Sequence, residues 1–168
     1  VVDADIIARD IVEKDQPALQ QIHAAFGDEI LLDNGELNRA ALRKQIFNDS
    51  NARKTLERIT HPATRQAIIH QLNSATSPYV VLVSPLLFET NQHQLTDHTL
   101  LIDADEALQI ERAGQRDGQS IAQIQQIIQV QMPRQQKRAL ADDIVLNDGH
   151  LEYLYDQLKP LHQAYLQR

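Results

Sequence analysis

The first nine residues, Val1 to Arg9, read VVDADIIAR, and no other stretch restricts the fold as much. Two valines lead into carboxylates at Asp3 and Asp5, and a segment of helical pattern follows. This is the form of a buried strand that delivers acids to its C-terminal tip and then turns into a helix. In open α/β sheets, ligands bind outside the carboxyl ends of the strands. Asp3 and Asp5 fall on one side of an extended chain and diverge if the backbone turns helical at Asp5. One could accept a hydroxyl proton while the other orients the hydroxyl or contacts metal-bound water. The alternative is that Asp5 simply caps the following helix. The chain opens inside this strand and its only methionine is Met132, so an upstream segment is expected.

Further strands alternate with helical segments. Tyr79–Val83 is a continuous β-favouring run that suits a strand buried on both faces. Thr99–Ile102 reads as a second buried strand ending at Asp103, and Ile144–Leu146 as a short one ending at Asn147. The helical pattern covers almost all of Pro17–Ser74. Pro17 opens a helix through Phe26 that stops at Gly27. Asp33-Asn34-Gly35 is a turn, and Glu36–Phe47 carries Leu37, Ala41, Leu42 and Ile46 at helical spacing. Asn48-Asp49-Ser50 breaks the pattern, Asn51–Ile59 resumes it, and His61-Pro62 interrupts it again, with Pro62 opening Ala63–Leu72. Asp105 is placed to cap a helix running to Asp117, and Ser120 to cap the next. Ile121–Ala141 is a long helical tract with a break at Pro133, and His150–Arg168 is a terminal helix with Pro160 inside it. The expected class is α/β, a parallel sheet flanked by helices. Residues 1–16, 75–110 and 140–168 form its core, and 17–74 is a helical insert far longer than a crossover needs.

A chain of 168 residues has enough length for a core, burying roughly 70% of its unfolded surface. With 4% aromatics and no Trp, that core is expected to be Leu, Ile, Val and Ala. The net charge of −7 argues against a nucleic-acid partner, because phosphate backbones want a basic surface. No Cys is present, which excludes disulfides and thiolate metal sites. No apolar run approaches the ~20 residues needed to span a bilayer, so no membrane partner is expected and a cytoplasmic location is the default. The seven histidines lack metal-ligand spacing, and no protein-only metal site is assigned. Neither Gly-x-Ser-x-Gly nor Gly-x4-Gly-Lys-Ser/Thr occurs.

Beside the Asp3 and Asp5 pair, three further features could carry chemistry. Pro85-Leu86-Leu87-Phe88-Glu89 closes a strand with a proline that stops pairing and one acid, either a pocket floor or a structural turn. Arg112 and Arg116 lie one turn apart on a helix face, and Arg134, Lys137 and Arg138 cluster further on. Guanidinium forks match phosphate oxygens, while Glu111 and Asp117 offer salt-bridge partners that would explain the first two without a ligand. His61 beside Pro62 is a lone histidine, a kind more often structural than catalytic.

Together these pieces resemble the bacterial dephospho-CoA kinases, P-loop kinases that complete coenzyme A synthesis. The resemblance runs through Val2-Asp3-Ala4-Asp5 with Arg9, Asn38-Arg39-Ala40-Ala41-Leu42, Leu56-Glu57-Arg58-Ile59-Thr60-His61-Pro62 and Pro85–Glu89. It continues through Gln109–Arg112, Arg116-Asp117-Gly118, Gln131-Met132-Pro133, Lys137, Ala141–Ile144 and Asn147-Asp148-Gly149. It implies a P-loop nucleoside-triphosphate-hydrolase-like fold, with 17–74 as the CoA-binding subdomain and 111–139 as a helical lid. It implies ATP and Mg2+ as cosubstrate and activator, dephospho-CoA as acceptor, and a monomer or small homo-oligomer. Asp5 would be the catalytic aspartate. Asp3, Arg9, Arg39, His61, Pro62, Pro85, Leu86 and Glu89 would serve the acceptor, and Arg112, Arg116, Gln131, Lys137 and Asn147 the nucleotide and lid. The family's glycine-rich phosphate loop, with its Lys and Ser, precedes the Asp-Ala-Asp motif and is not in this sequence. The expectation is therefore that these 168 residues alone do not turn over ATP. A non-catalytic CoA-binding fragment and another P-loop nucleoside or nucleotide kinase are the alternative readings.

Overall fold

The computed structural model describes residues 1–47, 49–118 and 120–167. They form two compact units, Val1–Ser84 and Pro85–Arg168. Each contains one parallel strand pair.

In the first unit, β1 (Val2–Asp3) pairs in parallel with β2 (Leu82–Val83), Val2 opposite Leu82 and Asp3 opposite Val83. The chain turns straight from β1 into α1 (Ala4–Asp10), then α2 (Pro17–Phe26), α3 (Arg39–Phe47) and α4 (Ser50–Asn73). Gly27 ends α2 at φ +84°, a conformation that costs glycine nothing and a side-chain-bearing residue a great deal. Helix α4 packs against α1, α2, α3 and β1, and so organises the unit. Its core gathers Val12, Ala18, Leu19, Ile22, Ile30 and Leu42, with Leu56, Ile59 and Ala63 of α4 packed on it. The largest fully buried side chains among the described residues are Ile7, Ile22, Ile30 and Ile68, and the wider buried apolar set is Val, Ala, Ile and Leu, as the composition predicts.

Two expectations fail here. His61-Pro62 does not divide the helix, because α4 runs unbroken from Ser50 to Asn73 with Pro62 inside it. Proline has no N–H for the carbonyl four residues back, a local cost of about 3 kcal/mol in a helix interior. Pro62 and Arg58, whose carbonyl loses that partner, are both exposed, and the packing of α4 on three helices outweighs the local signal. The second failure is the doubly buried strand at Tyr79–Val83. Only Leu82–Val83 pairs, and Val81 and Val83 are 45% and 43% exposed, since β2 has a single neighbour in its unit.

In the second unit, β3 (Leu100–Asp103) and β4 (Asp143–Leu146) pair in parallel along their full length. Ile102 stays half-exposed, so this strand too is covered on one side only. Thr99 fixes the register at the start of the pair: its N–H and hydroxyl both donate to Asp142 Oδ2, and its Oγ1 accepts the Asp142 N–H. The helices are α5 (Glu106–Asp117), α6 (Ile121–Gln129), α7 (Arg134–Leu140) and α8 (Leu151–Leu166). Asp105 caps α5 by accepting the Leu108 N–H, and Ser120 and Gln123 form a reciprocal capping box on α6. The long tract is thus two helices, α6 and α7, parted by a turn before Pro133. Helix α8 continues through Pro160, and its Gln157 binds the Leu146 N–H and carbonyl at the end of β4. Among the described residues, no helix is long and apolar enough to cross a membrane.

Candidate active site

At the tip of β1 the two aspartates divide their work. Asp3 sits in extended backbone as the N-cap of α1, and its Oδ1 accepts the N–H groups of Asp5 (2.9 Å) and Ile6 (3.1 Å). The cap that the sequence offers to Asp5 therefore belongs to Asp3. Asp5 lies in the first turn of α1, exposed, and bound to no other side chain among the described residues. Its carboxylate is free for a ligand. Arg9 follows one turn later on the same helix face, also exposed. Arg39 opens α3, and His61 and Pro62 lie on α4, the helix that packs on both α1 and α3. None of Arg9, Arg39 and His61 has an ion-pair or hydrogen-bond partner among the described side chains. The unit brings these residues onto adjoining helices without pairing them to one another.

The second unit holds its predicted residues differently. Pro85 and Leu86 are exposed at the start of a tight loop in which Thr90 donates from both its N–H and its hydroxyl to the Leu86 carbonyl. Glu89 is turned inward from this loop. Its Oε1 accepts the Met132 N–H at 2.8 Å and Lys137 Nζ at 3.1 Å, and Lys137 also donates to Gln131 Oε1 at 3.1 Å. Three residues that the sequence distributes between acceptor loop and lid thus form one cluster. Burial pushes the Glu89 carboxyl up, but the Met132 amide, its own amide and Lys137 together hold it below its ordinary value. Glu89 Oε2, Gln92 Oε1 and His93 Nδ1 are buried with no protein partner.

The arginines separate by role. Arg112 donates to the Asn147 carbonyl at 2.6 Å, fastening α5 to the tip of β4. Arg116, 78% exposed, forms a two-point pair with its neighbour Asp117. Asp117 is thus the salt-bridge partner weighed for it, and the two arginines do not act as one fork.

Sequence reasoning passed over the strongest ionic feature of this unit. Asp103, at the C-terminal end of β3, is only 2% exposed. Arg134 grips both its oxygens through Nε (2.7 Å) and a terminal nitrogen (2.9 Å), and Arg138 binds Oδ2 as well. The Arg134 guanidinium, opposed by burial and helped by Arg138, holds the Asp103 carboxyl below the usual carboxylate range. The signal was the i and i+4 spacing of Arg134 and Arg138 together with an acid ending a strand. The Asp103 carbonyl also takes the Asn147 N–H at 2.7 Å, so α7, β3, β4 and α5 meet in one network at the strand tips. No group of three or more His, Asp or Glu able to hold a metal ion occurs among the described residues.

A model of the dephospho-CoA kinase family matches residues 1–152. The dephospho-CoA kinase of Acinetobacter baylyi is 66% identical over 166 residues, 99% of this chain and 85% of that protein. The chain belongs to the dephospho-CoA kinase family. The dephospho-CoA kinase of Hahella chejuensis is 47% identical, over 99% of this chain and 80% of that protein. Among solved structures, TT1252 from Thermus thermophilus matches with a TM-score of 0.81 at 29% identity, covering 97% of this chain and 83% of that one. The dephospho-CoA kinase from Campylobacter jejuni matches with a TM-score of 0.70 at 25% identity, covering 98% and 84%. The α/β fold of parallel strands flanked by helices, with an inserted helical subdomain, is that of the dephospho-CoA kinases and their P-loop relatives.

Proposed function

We propose that this protein transfers the γ-phosphoryl group of ATP to the ribose 3′-hydroxyl of dephospho-CoA, giving coenzyme A and ADP. The observation that carries the reading, beside family membership, is the free Asp5 carboxylate at the tip of β1, released from capping by Asp3. In the reaction the hydroxyl oxygen bonds to the γ-phosphorus, the bond from that phosphorus to the ADP oxygen breaks, and the hydroxyl proton leaves. Such transfers pass through a loose transition state, so positioning and charge stabilisation dominate. An aspartate with an ordinary pKa of about 3.9 is a weak base at neutral pH. Asp5 would therefore orient the hydroxyl and take its proton late. The unpaired side chains of Arg9, Arg39 and His61 would hold the anionic acceptor. Pro85, Leu86 and Glu89 would shape its pocket, and Arg112, Arg116, Gln131, Lys137 and Asn147 would serve the nucleotide side.

Mg2+ would arrive on the ATP phosphates, because this ion keeps several waters and needs only one or two carboxylates beside the phosphates. Asp5, with Asp3 behind it, fits that modest demand, and the ion would offset charge on the phosphate oxygens.

The test is ADP release and CoA formation by the protein carrying the family's phosphate-binding loop, with Asp5 intact and as Asp5→Asn. A positioned acid or base contributes on the order of 100-fold or more, so the variant should lose at least that much turnover with little change in unfolding. Wild-type turnover in Asp5→Asn would remove Asp5 from the chemistry. An acceptor panel that favoured a nucleoside over dephospho-CoA would overturn the choice of substrate.

A further inference from the structure

Glu89 and Lys137 come from segments far apart in sequence, a loop after β2 and helix α7, yet they share one largely buried contact. Glu89 Oε1 receives two donors from a single corner of chain, the Met132 N–H and Lys137 Nζ, and Lys137 binds Gln131 of that same corner. The side chains are 18% and 16% exposed, so salt screens the pair poorly. The loop is tied together by its own hydrogen bonds. Its Leu87 carbonyl takes the N–H groups of Gln92 and His93, and its Leu86 carbonyl takes two donors from Thr90. Within the same loop, Glu89 Oε2, Gln92 Oε1 and His93 Nδ1 are buried with no hydrogen-bond partner. The corner is anchored in turn, since α7 holds Asp103 through Arg134 and Arg138, and Asp103 binds Asn147, whose carbonyl holds Arg112.

Resting on the kinase reading above, we propose that Glu89 and Lys137 form a positioning latch that couples the two substrates. Acceptor binding at loop 85–95 orders the 131–138 corner, and nucleotide binding on the corner side orders the loop. Neither residue needs to touch a reacting atom. Coupling between sites is reciprocal in affinity and commonly amounts to about five-fold or more.

Hydrogen exchange on the whole protein tests this without requiring catalysis. Dephospho-CoA should slow exchange in 86–92 and, in wild type, in 131–138 also. Glu89→Gln keeps an acceptor for the Met132 N–H but loses its charge toward Lys137, and should retain only the first effect. Lys137→Met should behave in the same way, while Lys137→Arg, which preserves the cation, should restore both. By calorimetry, ATP should bind roughly five-fold tighter with dephospho-CoA present in wild type, and equally with or without it in Glu89→Gln. Protection at 131–138 that survives in both Glu89→Gln and Lys137→Met overturns the latch. So does a wild-type protein whose 85–95 loop ignores dephospho-CoA. Product formation, assayed separately in the protein carrying the family's phosphate-binding loop, judges the kinase reading. Turnover with no communication between loop and corner sinks the latch alone, and communication without turnover sinks the kinase reading alone.

Discussion

Replacing Asp103 by Asn removes the charge at the centre of the second unit while leaving nearly the same shape. In wild type the carboxylate accepts three hydrogen bonds from two guanidinium groups. Hydrogen bonds to charged groups contribute about 1.5–3 kcal/mol each. With its oxygen in the Oδ2 position the Asn keeps two partners, and its NH2 then faces the Arg134 Nε–H, which it cannot accept. The gross loss is about 1.5–3 kcal/mol for the bond broken, and the two that remain are weakened by loss of the charge. Arg134 and Arg138 are 37% and 41% exposed, so water recovers part of what they lose. A net destabilisation of about 2–3 kcal/mol follows, below the 3–5 kcal/mol of stranding a charge in the interior. For a chain of this size, that is a Tm drop of about 5–10 °C.

The two units do not have to unfold together, so the probe must report on the second. Three of the four tyrosines, Tyr153, Tyr155 and Tyr165, lie there and no Trp competes, so tyrosine fluorescence during urea or thermal unfolding reports on the second unit once Tyr79 of the first is replaced by Phe. The pH dependence supplies an independent check. The folded Asp103 carboxyl is held below its unfolded value, so its contribution is complete above the unfolded pKa of about 3.9 and lost as pH falls through the folded value. The gap between wild type and Asp103→Asn should stay constant from pH 7 to about 4.5 and close in more acid solution. A loss under 0.5 kcal/mol at pH 7, or a gap that widens in acid, would refute the argument.

Two more substitutions probe the first unit. Pro62→Ala restores the missing donor within α4 and should stabilise by about 1–3 kcal/mol in urea titration. If His61-Pro62 serves the acceptor, that gain comes with weaker dephospho-CoA binding; a less stable variant would mean that Pro62 fits a distortion the helix needs. Asp3→Ala should cost about 1 kcal/mol as a lost N-cap and Asp3→Asn a few tenths. Equal losses for both would show that charge, rather than capping geometry, governs Asp3.

Much of the local structure was legible because its causes are local. Pro17 with Gly27 bounds α2 to the residue, Asp105 and Ser120 cap the helices assigned to them, and the turn before Pro133 separates α6 from α7. Legibility ended where a neighbour decides the outcome. Pro62 is a strong breaker in isolation, yet it lies within a continuous helix because packing on α1, α2 and α3 outweighs one missing hydrogen bond. The apolar run at Tyr79–Val83 describes a strand's composition without saying how many neighbours cover it.

The same boundary runs through the site. Periodicity and order of motifs, which lie in the sequence itself, determined the α/β class, the helical insert and the family. Which aspartate caps and which stays free was decided by the backbone turning helical at Ala4, so that Asp3 spends its carboxylate on two amides and Asp5 does not. Likewise the spacing put Arg112 and Arg116 on one helix face, but the fold sends one to the tip of β4 and the other to Asp117. The pairings of Glu89 with Lys137, and of Asp103 with Arg134 and Arg138, join residues 31 to 48 positions apart. Capping, turn chemistry and amphipathic spacing act over a few residues and are written in the chain, whereas buried ion pairs exist only once distant segments have excluded water between them.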